Sequence, residues 1–253
     1  MKIFCDCDGI LLRRWRKRQG CDMKAMSGIF NLFEKVGAKD SVVFVTDRPA
    51  GILPPLVYQF HGARYHAGEN GSVIYDRDTN AEIVDPTHWK YSRNVRPMVV
   101  DLLQREIGLD TPEGPWQEGG RQVGIAIETQ PGQEELVNGN LAKILAPLGV
   151  PLQIGSGSAP CIYPKGVDKR LAFSRLSNLY PRDNGPWYWI ADNDRDIPFG
   201  EEVLYVGGTV CGVGNSSARY TEFVRENGGI FVNGEYEEGL LQILQQIFDA
   251  GGN

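Results

Sequence analysis

Two short runs of the chain carry carboxylates at spacings that suit chemistry. Asp6 and Asp8 stand in Asp6-Cys7-Asp8-Gly9, and Asp192, Asp194 and Asp196 alternate through Asp192-Asn193-Asp194-Arg195-Asp196. Each run follows an apolar, strand-like stretch, Lys2 to Cys5 and Trp187 to Ile190. In a mainly parallel α/β sheet the C-terminal ends of the strands share one edge, so the two runs would meet there. Carboxylates gathered in one place repel unless a cation sits among them. Mg²⁺ takes oxygen ligands, commonly one or two carboxylates together with phosphate oxygens. Asp also ends strands simply as a turn residue, so neither run decides the matter alone.

The elements that must position these groups are legible from periodicity. Ser27 to Val36 has helical apolar spacing, and Ser41 to Val45 is a buried-strand run. Arg48 to Pro55 is turn-rich. Tyr65 to Tyr75 predicts two short strands around the turn Gly68-Glu69-Asn70-Gly71. The middle third predicts a helix over Val95 to Ile107, a half-buried strand over Gln122 to Glu128 and a helix over Gln133 to Leu148. A strand pair, Pro151 to Ile154 and Ala159 to Tyr163, completes it. That is enough for a small sheet with helices on one face, flanked by Asp85-Pro86 and Pro164-Lys165-Gly166 as hinges. Beyond it come a helix over Asp168 to Asn178, strands at Val203 to Val206 and Gly229 to Val232, and a closing helix over Glu237 to Phe248. Strands alternating with helices imply an α/β fold, a doubly wound, mainly parallel sheet.

The chain has 253 residues, enough for a core domain plus a smaller second one. Its net charge of −6 argues against nucleic acid or an anionic membrane as a general partner. No apolar run approaches a spanning helix, and the N-terminus lacks a signal-peptide pattern; the sequence reads as that of a cytoplasmic protein. Its five cysteines, Cys5, Cys7, Cys21, Cys161 and Cys211, are odd in number and irregularly spaced, against a disulfide framework. Cys5 and Cys7 without a second pair make a poor zinc site, and His61, His66 and His88 form no ligand pattern. Arg13-Arg14-Trp15-Arg16-Lys17-Arg18 carries five positive charges. It reads as a solvated loop, with a basic lip for an anionic substrate as the sharper alternative. Gly207-Gly208 and Gly212-Val213-Gly214 do not meet a dinucleotide pattern and read as turns near the sheet edge.

Four segments in order resemble the motifs of the haloacid dehalogenase superfamily. Phe4-Cys5-Asp6-Cys7-Asp8-Gly9 is similar to its first motif, a strand running into Asp-x-Asp-Gly-Thr. Val42 to Arg48 is similar to the second, an apolar strand ending in Ser or Thr. Gly166-Val167-Asp168-Lys169 resembles the third, which supplies a lysine, and Trp189 to Asp196 resembles the fourth. The long α/β stretch between Thr46 and Lys169 lies where the superfamily inserts a type-2 cap. Glu69 to Tyr75 resembles a segment before that cap in Cof-like, sucrose-phosphate and trehalose-phosphate phosphatases.

The resemblance implies a core over residues 1–85 and 164–253, a cap over 86–163, and Mg²⁺-dependent phosphatase chemistry on a small phosphorylated metabolite such as a sugar phosphate. By the same resemblance Asp6 is the nucleophile and Asp8 the general acid and base. Thr46, Asp47 and Lys169 are candidates to hold the phosphoryl oxygens. Asp6, Asp8 (through its backbone carbonyl), Asp192 and Asp196 are the candidate metal positions. Asn215, near the metal site, and Arg48 are further site candidates outside the metal set. Asp194 falls where the family spacing skips. Four residues depart from the pattern: Ile10 for Thr, Ala191 for Gly, Arg195 for Asn and Arg170 for Gly. A phosphomutase, a catalytically silent module with the same fold and a phosphatase of nucleic-acid ends stay open beside the main reading.

Overall fold

The computed structural model describes residues 1–11, 22–36, 41–60, 62–112, 114–129, 133–155, 160–180 and 185–250. His61, Cys21 and the basic run at 13–18 lie outside them. In chain order the first elements are β1 (Lys2–Asp6), α1 (Met23–Val36), β2 (Val42–Val45), α2 (Leu53–Gln59), β3 (Tyr65–Gly68), β4 (Val73–Asp76) and β5 (Ala81–Val84). Next come α3 (Pro86–Lys90), α4 (Arg96–Ile107), β6 (Trp116–Gln117), β7 (Ile125–Glu128), α5 (Glu134–Leu145), β8 (Leu152–Gly155) and β9 (Cys161–Pro164). The chain closes with α6 (Lys169–Leu179), β10 (Trp187–Ala191), α7 (Ile197–Tyr205), β11 (Thr209–Gly212), α8 (Ala218–Glu226), β12 (Ile230–Phe231) and α9 (Tyr236–Ala250).

Eight strands form one sheet in the order β12-β11-β10-β1-β2-β3-β4-β5. Pairing is parallel from β12 to β3, and β4 and β5 add antiparallel. The chain runs outward from β1 to β3 on one side and, much later, from β10 to β12 on the other. The junction of β1 with β10 is therefore the place where strand order reverses, where such sheets leave a crevice for ligands.

Side-chain alternation explains why helices cover both faces. Ile3 and Cys5 of β1 point into a core with Ile29 and Phe33 of α1, Val57 of α2 and Leu240 and Ile243 of α9. Phe4, between them, points the other way, into a core with Phe173 of α6, Phe199 and Val203 of α7 and Val224 of α8. A strand buried on both faces reads as a continuous apolar run, as β1, β2 and β10 do.

A second sheet, β6-β7-β9-β8, is antiparallel throughout. Ile125 and Ile127 of β7 and Ile162 of β9 pack on Val99 and Leu103 of α4 and Val137 and Leu141 of α5. On its other face Ala126, Cys161 and Tyr163 meet Val167, so this sheet has its helices on one side.

Several readings need correction. Val203 to Val206 is no strand: Val203, Leu204 and Tyr205 end α7, and the strand follows at Thr209. The apolar residues there serve the buried stripe of a helix with Phe199, Gly200 and Val203 inside, and a short apolar run does not reveal its period. The turn-rich Arg48 to Pro55 stretch continues into α2, whose prolines occupy the first helical turn, where a missing N–H costs no bond. Gly212 lies within β11 rather than in a turn. The elements α3, β5 and β6 are too short to show a period. Helix α8 has one, with Tyr220 and Val224 buried four residues apart, and sequence reasoning missed it. Among the described residues no helix is long and apolar enough to cross a membrane.

Candidate active site

Asp6 ends β1 and Asp192 directly follows β10, and parallel register sets Cys5 beside Ile190. The two carboxylates therefore emerge side by side at one sheet edge. Gly9 permits their approach. Its φ is +76°, and a Cβ there would lie 1.9 Å from Asp192 Oδ2. Asp196 arrives from the turn after β10, closed by reciprocal caps between Asn193 and Asp196. Asp6, Asp192 and Asp196, all buried, each offer an oxygen within 4.8 Å of the other two. Such an all-carboxylate oxygen set suits a hard divalent cation.

Lys169 opens α6, with Asp168 capping the helix by accepting the Arg170 N–H. The buried Lys169 ammonium lies 2.9 Å from Asp6 Oδ1 and also bonds Asp196 Oδ1. Burial disfavours its charge, but Asp196 and Asp6 override this and hold the amine above the ordinary lysine range. Burial pushes the Asp6 carboxyl well above its usual range. Lys169 opposes that shift, and Asp196, Asp8 and Asp192 add to it. A bound cation would act in the same sense as Lys169 and favour the carboxylate.

Asn215 ties the far side of the site. Its amide donates to the Gly9 carbonyl at 2.9 Å and to Asp192 Oδ2 at 3.2 Å, while its own oxygen accepts the Tyr236 N–H at 2.7 Å. Asp194 points away, exposed and bonded to Ser217.

Not every candidate joins this group. The Asp8 carboxylate is gripped by Arg48, with Nε at 2.9 and 2.8 Å and a terminal nitrogen at 2.6 Å. Thr46 is buried after β2, and its hydroxyl accepts the Arg48 N–H at 3.1 Å. The Asp47 carboxylate faces Arg195 at 3.6 Å. Its carbonyl instead accepts from Arg121 at 2.6 Å and from the Tyr163 hydroxyl at 3.0 Å.

No family model matches the chain, and no curated protein matches it in sequence. Solved structures do. A Thermoplasma acidophilum protein superposes with a TM-score of 0.70 at 17% identity, covering 98% of both chains. A haloacid dehalogenase-like hydrolase from Bacteroides thetaiotaomicron gives 0.65 at 16%, covering 97% of this chain and 98% of the other. The chain has the haloacid dehalogenase-type fold. A sucrose-phosphatase from Synechocystis, solved with sucrose and phosphate, shares it with a TM-score of 0.65 at 15% identity, over 98% of this chain and 99% of that one.

Each of the four residues that depart from the motif pattern has a definite place in the fold. Ile10 and Ala191 are fully buried in the two cores. Arg170 sits on the exposed start of α6 beside Glu201, and Arg195 reaches towards Asp47. None separates Asp6 from Asp192.

Sequence reasoning missed Glu69, Arg121 and Tyr163. Glu69 stood only in a turn and at the start of the segment that resembles the one before the cap, with no role of its own. It is in fact fully buried, and its carboxylate accepts the N–H groups of Gln122, Val123 and Gly124 at 2.7, 2.9 and 2.7 Å. The available signal was a charged residue, Glu69, enclosed between two apolar strand runs.

Proposed function

We propose that this protein is a Mg²⁺-dependent phosphomonoester hydrolase that works through an aspartyl phosphate on Asp6, acting on a small phosphorylated metabolite such as a sugar phosphate. The observation that carries the proposal is the convergence of Asp6, Asp192 and Asp196 within 4.8 Å, with the Lys169 ammonium 2.9 Å from Asp6. The sucrose-phosphatase of like fold supports the substrate class.

In this reading residues 1–85 and 164–253 form the core and 86–163 a cap that excludes water and shapes the leaving-group pocket. Asp6, Asp192 and Asp196, with the Asp8 carbonyl, hold Mg²⁺, which when bound neutralises phosphoryl charge. An Asp6 oxygen attacks phosphorus while the bond to the leaving oxygen breaks. Asp8 gives that oxygen a proton. Asp8 then takes a proton from water, whose oxygen attacks phosphorus, breaks the bond to Asp6 and frees inorganic phosphate. Lys169 places positive charge where the equatorial oxygens become more negative, and Thr46 donates to one of them.

Purified protein with Mg²⁺ is expected to hydrolyse p-nitrophenyl phosphate, and EDTA or Asp6→Asn to abolish this. Hydrolysis that survives Asp6→Asn refutes the mechanism. Transfer of the phosphoryl group back to the substrate rather than to water would make the protein a mutase.

A further inference from the structure

Glu69 stands where three parts of the molecule meet. The turn that carries it has two consecutive left-handed residues: Asn70 at φ +56°, which tolerates that conformation, and Glu69 at φ +49°, which holds it only at a steric cost that its neighbours must offset. Those neighbours are identifiable. The Glu69 N–H donates to the Arg48 carbonyl at 2.9 Å and the Asn70 N–H to the Thr46 carbonyl at 3.0 Å. Gly71 abuts the α6 backbone so closely that a Cβ would lie 2.4 Å from Ala172, and Arg175 donates to its carbonyl at 2.6 Å. The turn is thus locked to the loop of Thr46 and Arg48 on one side and to the Lys169 helix on another.

The third side is the second sheet. The buried Glu69 carboxylate takes the three consecutive N–H groups of residues 122–124, immediately before β7. Val123 packs with Ala50, Val73 and Tyr75 in a core of the large sheet. Arg121, one residue earlier, reaches the Asp47 carbonyl. A carboxylate is built for this role: both oxygens accept, and neither presents a hydrogen to the amides.

We propose that Glu69 is a positioning residue, fastening residues 121–124 to the Thr46–Arg48 loop as a third, non-covalent attachment between the two sheets and so setting Arg48 against Asp8. The catalytic half of this proposal rests on the phosphatase reading. The attachment itself does not.

The test compares full-length wild type with Glu69→Gln, which keeps the shape but turns an amide NH₂ towards backbone N–H groups, and with Glu69→Asp, which keeps the charge. Amide hydrogen exchange at 122–124 is expected to quicken on the order of tenfold in Glu69→Gln, with rates in β1 and β10 unchanged. With Mg²⁺ and p-nitrophenyl phosphate, kcat is expected to fall by about tenfold or more, the half-saturating Mg²⁺ concentration to stay constant, and Glu69→Asp to recover part of both losses. Unchanged exchange at 122–124 in a folded Glu69→Gln protein overturns the attachment; faster exchange with unaltered kcat overturns the positioning. Should Glu69→Gln not fold, Glu69→Asp is read by the same two criteria. A wild type without Mg²⁺-dependent hydrolysis removes the phosphatase reading, and exchange at 122–124 still decides the attachment.

Discussion

Lys169 serves two buried carboxylates at once: its ammonium nitrogen lies 2.9 Å from Asp6 Oδ1 and also bonds Asp196. Removing one member of a buried ionic group leaves the others uncompensated, at a cost of about 3–5 kcal/mol. Lys169→Met is expected to lower unfolding stability by about that much and to eliminate hydrolysis. A urea midpoint equal to that of wild type would show that the carboxylates do not depend on this cation.

The same three carboxylates predict a response to metal. A ligand bound only by the folded state stabilises it, by about 2.7 kcal/mol at a hundredfold excess over Kd. Mg²⁺ added to EDTA-treated protein is expected to raise Tm. Asp192→Asn should suppress the rise. Asp194→Asn should keep it, because Asp194 is exposed and bonded to Ser217. Equal effects of the two substitutions would place the metal elsewhere.

Gly9 offers a steric probe of the site that removes no charge. In Gly9→Ala the new methyl meets Asp192 Oδ2 at 1.9 Å, and the φ of +76° is itself unfavourable for alanine, by roughly 1–2 kcal/mol. The Asp192 carboxylate must swing away, so the half-saturating Mg²⁺ concentration is expected to rise by about tenfold or more, followed by calorimetric titration. Wild-type affinity in this variant would exclude Asp192 as a ligand.

Acid sensitivity has a definable source in His66. It is fully buried, accepts the Phe44 N–H on Nδ1 at 2.9 Å, and has Nε2 2.7 Å from the Ala63 carbonyl. That pairing fixes the neutral ring with its proton on Nε2. Burial, partly offset by the Ala63 bond, lowers its pKa from 6.5 to about 3. Between these values the unfolded chain binds a proton that the folded chain refuses, so stability falls as pH drops below 6.5 and continues to fall towards pH 3. The slope from this group approaches about 1.4 kcal/mol per pH unit. Urea midpoints measured from pH 7 to 4 should show a shallower decline in His66→Gln; parallel curves would remove His66 as the cause.

The sequence by itself determined the sheet's class and the edge where chemistry gathers. Both properties are local. Apolar runs ending in Asp6 and Asp192 declare buried strands with carboxylates at their C-terminal ends, and helical spacing between them declares a parallel sheet. Asp168 before Lys169 likewise marks a helix start that fixes where the lysine begins.

Tertiary structure alone decided which groups answer one another. Arg48 pairs with Asp8, Arg121 with the Asp47 carbonyl, and Glu69 with the amides of residues 122–124, each across dozens of residues. Periodicity specifies the face a side chain presents, but not which distant face folds against it. The carboxylate of Glu69 looks like any solvated turn residue until the backbone donors that satisfy it are brought alongside. Burying it would otherwise cost several kcal/mol, which is why this contact could be found only in the assembled fold.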